Sequence, residues 1–190
     1  AGVGSVDKEL TAKKAPAPIA TSKIIPLVTI KAAAPIAPTA PNLVVEVSAE
    51  EKAKRAKFGT KTIKVASDNW LHLVNIKVYA QGSAGDIAST GEAALSSYYK
   101  NDSRGSGAHL ALIDDESFFH SGDGPGKSQS FSLTFPSPVI VEKIVIKNRP
   151  GFEGRLKGAV LHLLTENEVE LKTCALDGIA VLTLDDLSLP

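Results

Sequence analysis

The chain has few of the residues that form covalent or metal-based cross-links. Its 190 residues include one cysteine, Cys174, and no methionine. A single cysteine excludes an internal disulfide and metal sites built from several thiolates. No apolar run approaches the roughly 18 residues that a membrane-spanning helix needs, so we expect no membrane span.

Excess charge of either sign is also absent. The chain has 21 Lys and Arg against 21 Asp and Glu, for a formal net charge of zero. No overall field then attracts nucleic acid, and we expect no nucleic-acid partner. Because position 1 is not methionine, we expect a processed product or part of a longer chain. The compartment stays open between a large complex or virion and a processed organellar or secreted protein.

Residues 1–45 differ in composition from the rest and hold six of the eleven prolines. Proline lacks a backbone donor and blocks helix interiors, so this segment is predicted to be an extended Pro/Ala/Lys-rich arm. Ordering it costs about 1–2 kcal/mol per residue, which a contact surface must offset. The residues expected to bind that surface are Pro16, Pro18, Ile24, Ile25, Leu27, Pro35, Pro38 and Pro41.

Residues 46–59 are predicted to form a short connecting helix. Ser48 and Glu51 match a capping box, in which each side chain accepts from a free amide of the first turn. Glu51 and Arg55 form a helix-stabilising pair at i,i+4. Gly59 is placed to cap the C-terminus. Little apolar periodicity is present, so the helix is expected on the surface.

Residues 60–190 change to β-type alternation, in which Phe131, Leu133 and Phe135 fall on one face. Glycine-rich turns separate the apolar runs, and many short strands with frequent turns favour an all-β sandwich or barrel. The predicted strands are Thr60–Ala66, Leu71–Tyr79, Phe131–Phe135, Val139–Lys147, Ala159–Thr165, Glu168–Cys174 and Ile179–Leu184.

Four segments of this region stand out: WLHLVNIKVY at 70–79, ALIDDESFFH at 111–120, KIVIKNR at 143–149 and RLKG at 155–158. In this order they resemble the discoidin / coagulation factor type C (galactose-binding-like) family. The resemblance covers about residues 60–184 and implies an eight-stranded jelly-roll β-sandwich that binds ligands and does not catalyse. No convergent acid, base or nucleophile is visible in the sequence, so we expect no enzyme.

The resemblance also implies a structural calcium ion, held by an aspartate before the paired phenylalanines. Asp114 occupies that position. Carboxylate oxygens are ligands that calcium prefers. The alternative is that Asp114 and Asp115 are solvated loop carboxylates. No other cofactor is expected.

The fucose-binding branch of the family, the F-type lectins, implies a histidine and two arginines that converge on a sugar. His120, Arg149 and Arg155 match those positions, although the loop between the arginines reads PGFEG where that branch has an aspartate and adjacent cysteines. Histidine exchanges hydrogen bonds with hydroxyls, and arginine offers a planar fork of donors. The alternatives are that Arg155 pairs with a carboxylate at the core edge and that His120 caps backbone groups.

Two further histidines, His72 and His162, lie inside predicted strands. Their positions in the alternating pattern favour structural histidines over ligand-binding ones.

Two functions remain open. The first is a non-catalytic structural protein of a large assembly, of the minor-capsid or linker type. In it the β-sandwich docks and the arm clamps neighbouring protein subunits. The alternative is a lectin or carbohydrate-binding module that recognises a glycan through loops at one end of the sandwich.

Overall fold

The computed structural model describes residues 48–122 and 124–187. The arm predicted over residues 1–45, with its expected partner-binding residues, lies outside them. In the described part of the chain, no helix is both long enough and apolar enough to cross a membrane.

The connecting helix is confirmed as α1, Ala49–Phe58. Its N-terminus is capped by the Ser48 hydroxyl, which accepts from the Glu51 amide at 3.1 Å, and the Glu51 carboxylate accepts from Arg55 Nε at 3.0 Å. No residue of α1 is buried, as expected for a surface helix. Gly59 caps the C-terminus with extended backbone (φ −79°), not the left-handed conformation usual for a capping glycine. Glycine is favoured here by space, because a Cβ would collide with the Arg55 carbonyl oxygen.

Nine strands follow in the described residues, joined by turns and four short 3-10 helices. Seven of the nine were predicted, and the pattern missed β3 and β4. The strands are β1 Thr60–Ser67, β2 His72–Ala80, β3 Glu92–Leu95, β4 Phe119–His120, β5 Gln129–Val139, β6 Val141–Asn148, β7 Val160–Leu164, β8 Glu170–Ala175 and β9 Val181–Leu184.

The strands form two antiparallel sheets, and this confirms the all-β sandwich. The five-stranded sheet has the order β3-β5-β1-β7-β8, and the four-stranded sheet has the order β4-β2-β6-β9. In the larger sheet Val65 of β1 lies opposite Phe131 of β5 on one side and opposite Leu161 of β7 on the other. All three are fully buried, so the register places apolar residues together on the inner face.

The core lies between the two sheets. Phe131, Leu133 and Phe135 are at most 1% exposed, which confirms the face predicted from their alternation. The ring of Phe119 from the smaller sheet stacks on Phe131 from the larger one, with centroids 5.0 Å apart. Complete burial of one such side chain contributes roughly 1.5–3 kcal/mol. The smaller sheet also supplies Leu73, Ile76, Val78, Ile144 and Ile146 to the same core.

Strand pairing brings three chain segments to one end of the four-stranded sheet. The start of β2 lies beside the end of β6, with Leu73 opposite Asn148. On its other side β2 pairs with β4, with His72 opposite His120. Side chains at these positions therefore meet although they are distant in sequence.

Candidate functional site

A group of cationic and aromatic side chains occupies this end of the sheet, and we call it the arginine–histidine cluster. Direct contacts connect its members, and the three residues predicted for sugar binding all belong to it. The cluster consists of Trp70, His72, Tyr99, Phe118, His120, Arg149, Phe152 and Arg155.

The loop that carries both arginines is tied to the end of β6 by Asn148. This side chain is 2% exposed; its Nδ2 donates to the Glu153 carbonyl at 3.0 Å and its Oδ1 accepts from the Arg149 amide at 2.9 Å. Gly151 turns the loop with a φ of +78°, a conformation that favours glycine. The Glu153 carboxylate accepts from the Gly151 amide at 3.0 Å. Arg149 and Arg155 thus stand at the two ends of a braced loop.

Both guanidinium groups stack on aromatic rings. Arg149 Cζ lies 4.0 Å from the Phe118 ring centroid and 4.2 Å from that of Phe152. Arg155 Cζ lies 4.6 Å from the ring centroids of both Trp70 and Phe152. Such cation–π contacts contribute about 0.5–2 kcal/mol each, depending on desolvation. Stacking engages the face of a guanidinium and leaves the N–H donors on its edge for other partners.

The buried side chain of His72 orients the Arg155 guanidinium through a hydrogen bond. It is 2% exposed, and its Nε2 lies 3.1 Å from Arg155 Nη1. Arginine has no acceptor, so the guanidinium donates and the imidazole accepts in its neutral form. Burial, with smaller contributions from His120, Arg155 and Arg149, lowers the pKa of His72 to about 3. His72 is therefore a buried structural histidine, as expected, and it also positions Arg155.

His120 keeps one ring nitrogen available. Its Nδ1 lies 2.6 Å from the Ser121 carbonyl oxygen and donates to it, since a carbonyl only accepts. This is the backbone contact that the alternative reading of His120 anticipated. Burial lowers the pKa of His120; the bond to Ser121 opposes that shift, and Arg149 and Arg155 reinforce it. The neutral tautomer therefore presents Nε2 as a hydrogen-bond acceptor.

The polar atoms of the cluster that lack protein partners reach the surface. In the described residues every fully buried side-chain nitrogen and oxygen has a hydrogen-bond partner. His120 Nε2 and the Arg149 guanidinium nitrogens have none there, so solvent or a ligand can reach them. No carboxylate of the described residues lies within 4.0 Å of either guanidinium. This contradicts the alternative in which Arg155 pairs with a carboxylate.

Two exposed aromatic rings complete the cluster. Phe152 is 37% exposed and Tyr99 is 42% exposed, with its ring centroid 4.3 Å from that of His120. Lys100 and Asn101, which follow Tyr99, adopt left-handed backbone with φ of +53° and +57°. That conformation is uncommon outside glycine and turns the chain sharply after the tyrosine. Both rings therefore bring partly exposed apolar surface next to the polar atoms.

Asp114, the predicted calcium ligand, lies in an ion pair. Its Oδ2 is 2.8 Å from Lys77 Nζ, and this hydrogen-bonded charge lowers the pKa of Asp114. Asp115 accepts from the Ser117 amide at 2.7 Å. The described residues contain no group of three or more His, Cys, Asp or Glu side chains that would suit a metal ion. Asp114 thus has a lysine partner through Oδ2, and calcium stays a prediction.

His162 belongs to the other sheet and not to the cluster. It lies on β7, and its Nδ1 is 2.7 Å from Glu170 Oε2. His162 thus has a carboxylate partner on the neighbouring strand β8.

Five members of the cluster were not predicted as site residues. Phe152 had a signal, since it lies between the two predicted arginines, and Trp70 and His72 begin the first segment of the resemblance. Phe118 lies in the second segment of the resemblance, two residues before the predicted His120. Tyr99 had no signal that singles it out, because its contact with His120 arises only from folding.

Comparison of the chain with models of protein families, with curated proteins and with solved structures finds no match. The resemblance to discoidin domains therefore stays a prediction that depends on the quoted residues. The candidate site is supported by the set of contacts within the arginine–histidine cluster.

Proposed function

We propose that this chain is a non-catalytic binding module that recognises a glycan through the arginine–histidine cluster. The observation that carries the proposal is the pair of guanidiniums of Arg149 and Arg155. Each stacks on aromatic rings, and neither has a carboxylate partner in the described part of the chain. Sites for small polar ligands combine aromatic walls with a few placed polar groups in this way.

The groups of the cluster suit the parts of a sugar. His120 Nε2 accepts from a ligand hydroxyl, and the Arg149 fork donates to ligand oxygens. The exposed ring of Phe152, beside both arginines, packs against the apolar face of a pyranose. Hydroxyl recognition and ring stacking then occur at one end of the sandwich.

A glycan array tests this function. The full chain is screened with and without calcium, together with the variants His120→Ala and Arg149→Ala. The control is Lys147→Ala, because Lys147 lies on β6, immediately before the loop that begins at Arg149. We expect both cluster variants to lose the glycan signal and the control to keep it. Absence of any glycan signal from the intact chain would reject the function.

A second function is favoured by the composition of residues 1–45, with its six prolines and interspersed apolar residues. In it the chain is a structural component of a large assembly whose arm clamps neighbouring subunits. Gradient sedimentation of a native extract should place the chain in a particle far larger than its 19.9 kDa. Removal of residues 1–45 should release it, and full retention of the truncated chain would reject the clamp.

A further inference from the structure

We infer that the glycan bound by the arginine–histidine cluster is an acidic saccharide, whose carboxylate or sulfate group is held by Arg149 and Arg155. The inference depends on the glycan-binding function proposed above and adds the chemical class of the ligand. It follows from where charges lie within the cluster.

The two arginines bring positive charge that no acid within the described residues pairs with. Elsewhere the described residues pair Arg55 with Glu51, Lys77 with Asp114 and Lys147 with Glu116. Arg149 and Arg155 instead contact rings and a histidine. A cation removed from water without a counter-charge is costly, so an incoming anion gains more here than at a paired site.

The acid closest in sequence forms no ion pair with either arginine. Glu153 lies between them, yet its carboxylate accepts from the Gly151 amide at 3.0 Å within its own loop. It is not within 4.0 Å of either guanidinium. The Glu153 carboxylate therefore stabilises the conformation of its own loop, and we infer that a ligand supplies the counter-charge for the arginines.

The histidines do not change this balance. His72 accepts from Arg155 and is neutral, which requires no carboxylate. His120 donates to the Ser121 carbonyl, and burial beside the two arginines lowers its pKa. Arg149 and Arg155 lower the pKa of both rings, so the positive charge of the arginines favours two neutral histidines. A neutral sugar would leave two guanidiniums without a counter-charge.

The two arginines have different parts in anion binding. His72 takes one nitrogen of Arg155 and fixes the direction of its remaining donors, so His72 is a positioning residue. Arg149 has no hydrogen-bond partner on its guanidinium in the described residues and offers its whole fork. Carboxylate and sulfate groups accept two parallel N–H bonds from such a fork.

Matched pairs of ligands test the inference directly. The full chain is titrated with uronate oligosaccharides and their neutral methyl esters, and with sulfated oligosaccharides and their unsulfated parents. Each acidic member should bind at least about tenfold more tightly than its neutral partner, the scale of one charge-assisted hydrogen-bond pair. The uronate and sulfate arms distinguish the two sources of negative charge.

Three protein variants complete the design. Arg149→Gln should remove the preference for the acidic member, and Arg149→Lys should retain part of it as a point charge without the fork. Lys147→Gln removes the same amount of charge from a paired lysine and should keep the preference. Thermal unfolding of each variant shows that it is folded.

The outcomes separate the two claims. Equal binding of acidic and neutral members, lost in His120→Ala, would overturn the acidic class and leave glycan binding standing. No binding of any saccharide would overturn both. An acidic preference that survives Arg149→Gln would show a charge effect from elsewhere on the surface and would overturn the assignment to the cluster.

Discussion

Two regions of the four-stranded sheet treat their cations in opposite ways. On the strands, Lys77 of β2 and Lys147 of β6 meet carboxylates: Nζ of Lys77 is 2.8 Å from Asp114, and Nζ of Lys147 is 2.9 Å from Glu116. At the end of the same sheet, Arg149 has aromatic partners and no carboxylate of the described residues. The acids Asp114 and Glu116 are thus paired with the lysines and not with Arg149.

The partners of these half-buried cations differ in exposure as well. The Asp114 and Glu116 side chains are 77% and 81% exposed, so water screens their pairs, and such surface ion pairs contribute little. Arg155 is half-buried and lies on a histidine that is 2% exposed. Charges there interact through less water and more strongly. Carboxylates therefore pair with the cations of the first region, whereas no carboxylate of the described residues pairs with the arginines of the second.

The largest effect is expected from removing both arginines. Arg149→Gln with Arg155→Gln should lower the affinity for an acidic oligosaccharide by about 100-fold or more, since hydrogen bonds to charged groups contribute about 1.5–3 kcal/mol each. Lys77→Gln with Lys147→Gln removes the same charge and should change the affinity by less than about threefold. Calorimetric titration at fixed ionic strength measures both. An equal loss of affinity in the two double variants would show that the arginines bind the ligand no better than the paired lysines do.

Acid should weaken the cluster region through His72. Its pKa is about 3 in the folded protein against 6.5 ordinarily, so below pH 6.5 the unfolded chain binds a proton that the folded one does not. Stability from this group is complete above pH 6.5 and is lost as the pH falls towards 3. The loss is about 1.4 kcal/mol per pH unit, or about 2 kcal/mol from pH 6.5 to 5.

The variant His72→Gln should lack that loss. Urea unfolding at pH 6.5 and at pH 5, with wild type and variant compared at each, separates the histidine from the carboxylates that titrate nearby. Equal pH dependence in the two proteins would contradict a neutral, buried His72.

Phe152 connects the two arginines, and its removal should have a smaller effect. Phe152→Ala removes the ring that lies 4.2 Å from Arg149 Cζ and 4.6 Å from Arg155 Cζ. We expect a loss of about tenfold in ligand affinity, the scale of one or two cation–π contacts. Ile179→Ala is the matched control, because Ile179 is also an exposed apolar residue in the described chain but is not in the cluster. An unchanged affinity in Phe152→Ala would argue against ring-supported arginines.

The smallest effect is expected at Asp114. Asp114→Asn breaks the exposed pair with Lys77 and should shift the Tm by less than about 3 °C. Calcium titration of wild type and variant distinguishes the two uses of this carboxylate. A calcium ion held by Asp114 would raise the Tm of the wild type and not of Asp114→Asn; the ion pair alone predicts no such difference.

The fold was predictable where burial imposes alternation. Phe131, Leu133 and Phe135 show the period of a half-buried strand, and β5 contains them. The pattern missed β3, which contains the alanine pair Ala93 and Ala94, and β4, which is two residues long. Neither provides enough β-branched or alternating residues to be recognised before its partner strand is known.

The site was predictable in part, and the limit is one of distance along the chain. His120, Arg149 and Arg155 could be named because the resemblance assigned them together. The stacking of Arg155 on Trp70 joins residues far apart in sequence, so no local pattern contains it. The same holds for the bond from Arg155 to His72, which depends on how β2 and β6 pair.

The most direct measurement is the side-chain Nε–Hε NMR signal of each arginine during titration with a uronate oligosaccharide and its methyl ester. An anion held by the cluster predicts saturable shifts for Arg149 and Arg155 with the uronate. It predicts smaller ones with the ester, while Arg55 in its ion pair stays unchanged. Unmoved signals of Arg149 and Arg155 under saturating uronate would contradict a binding role for the unpaired guanidiniums.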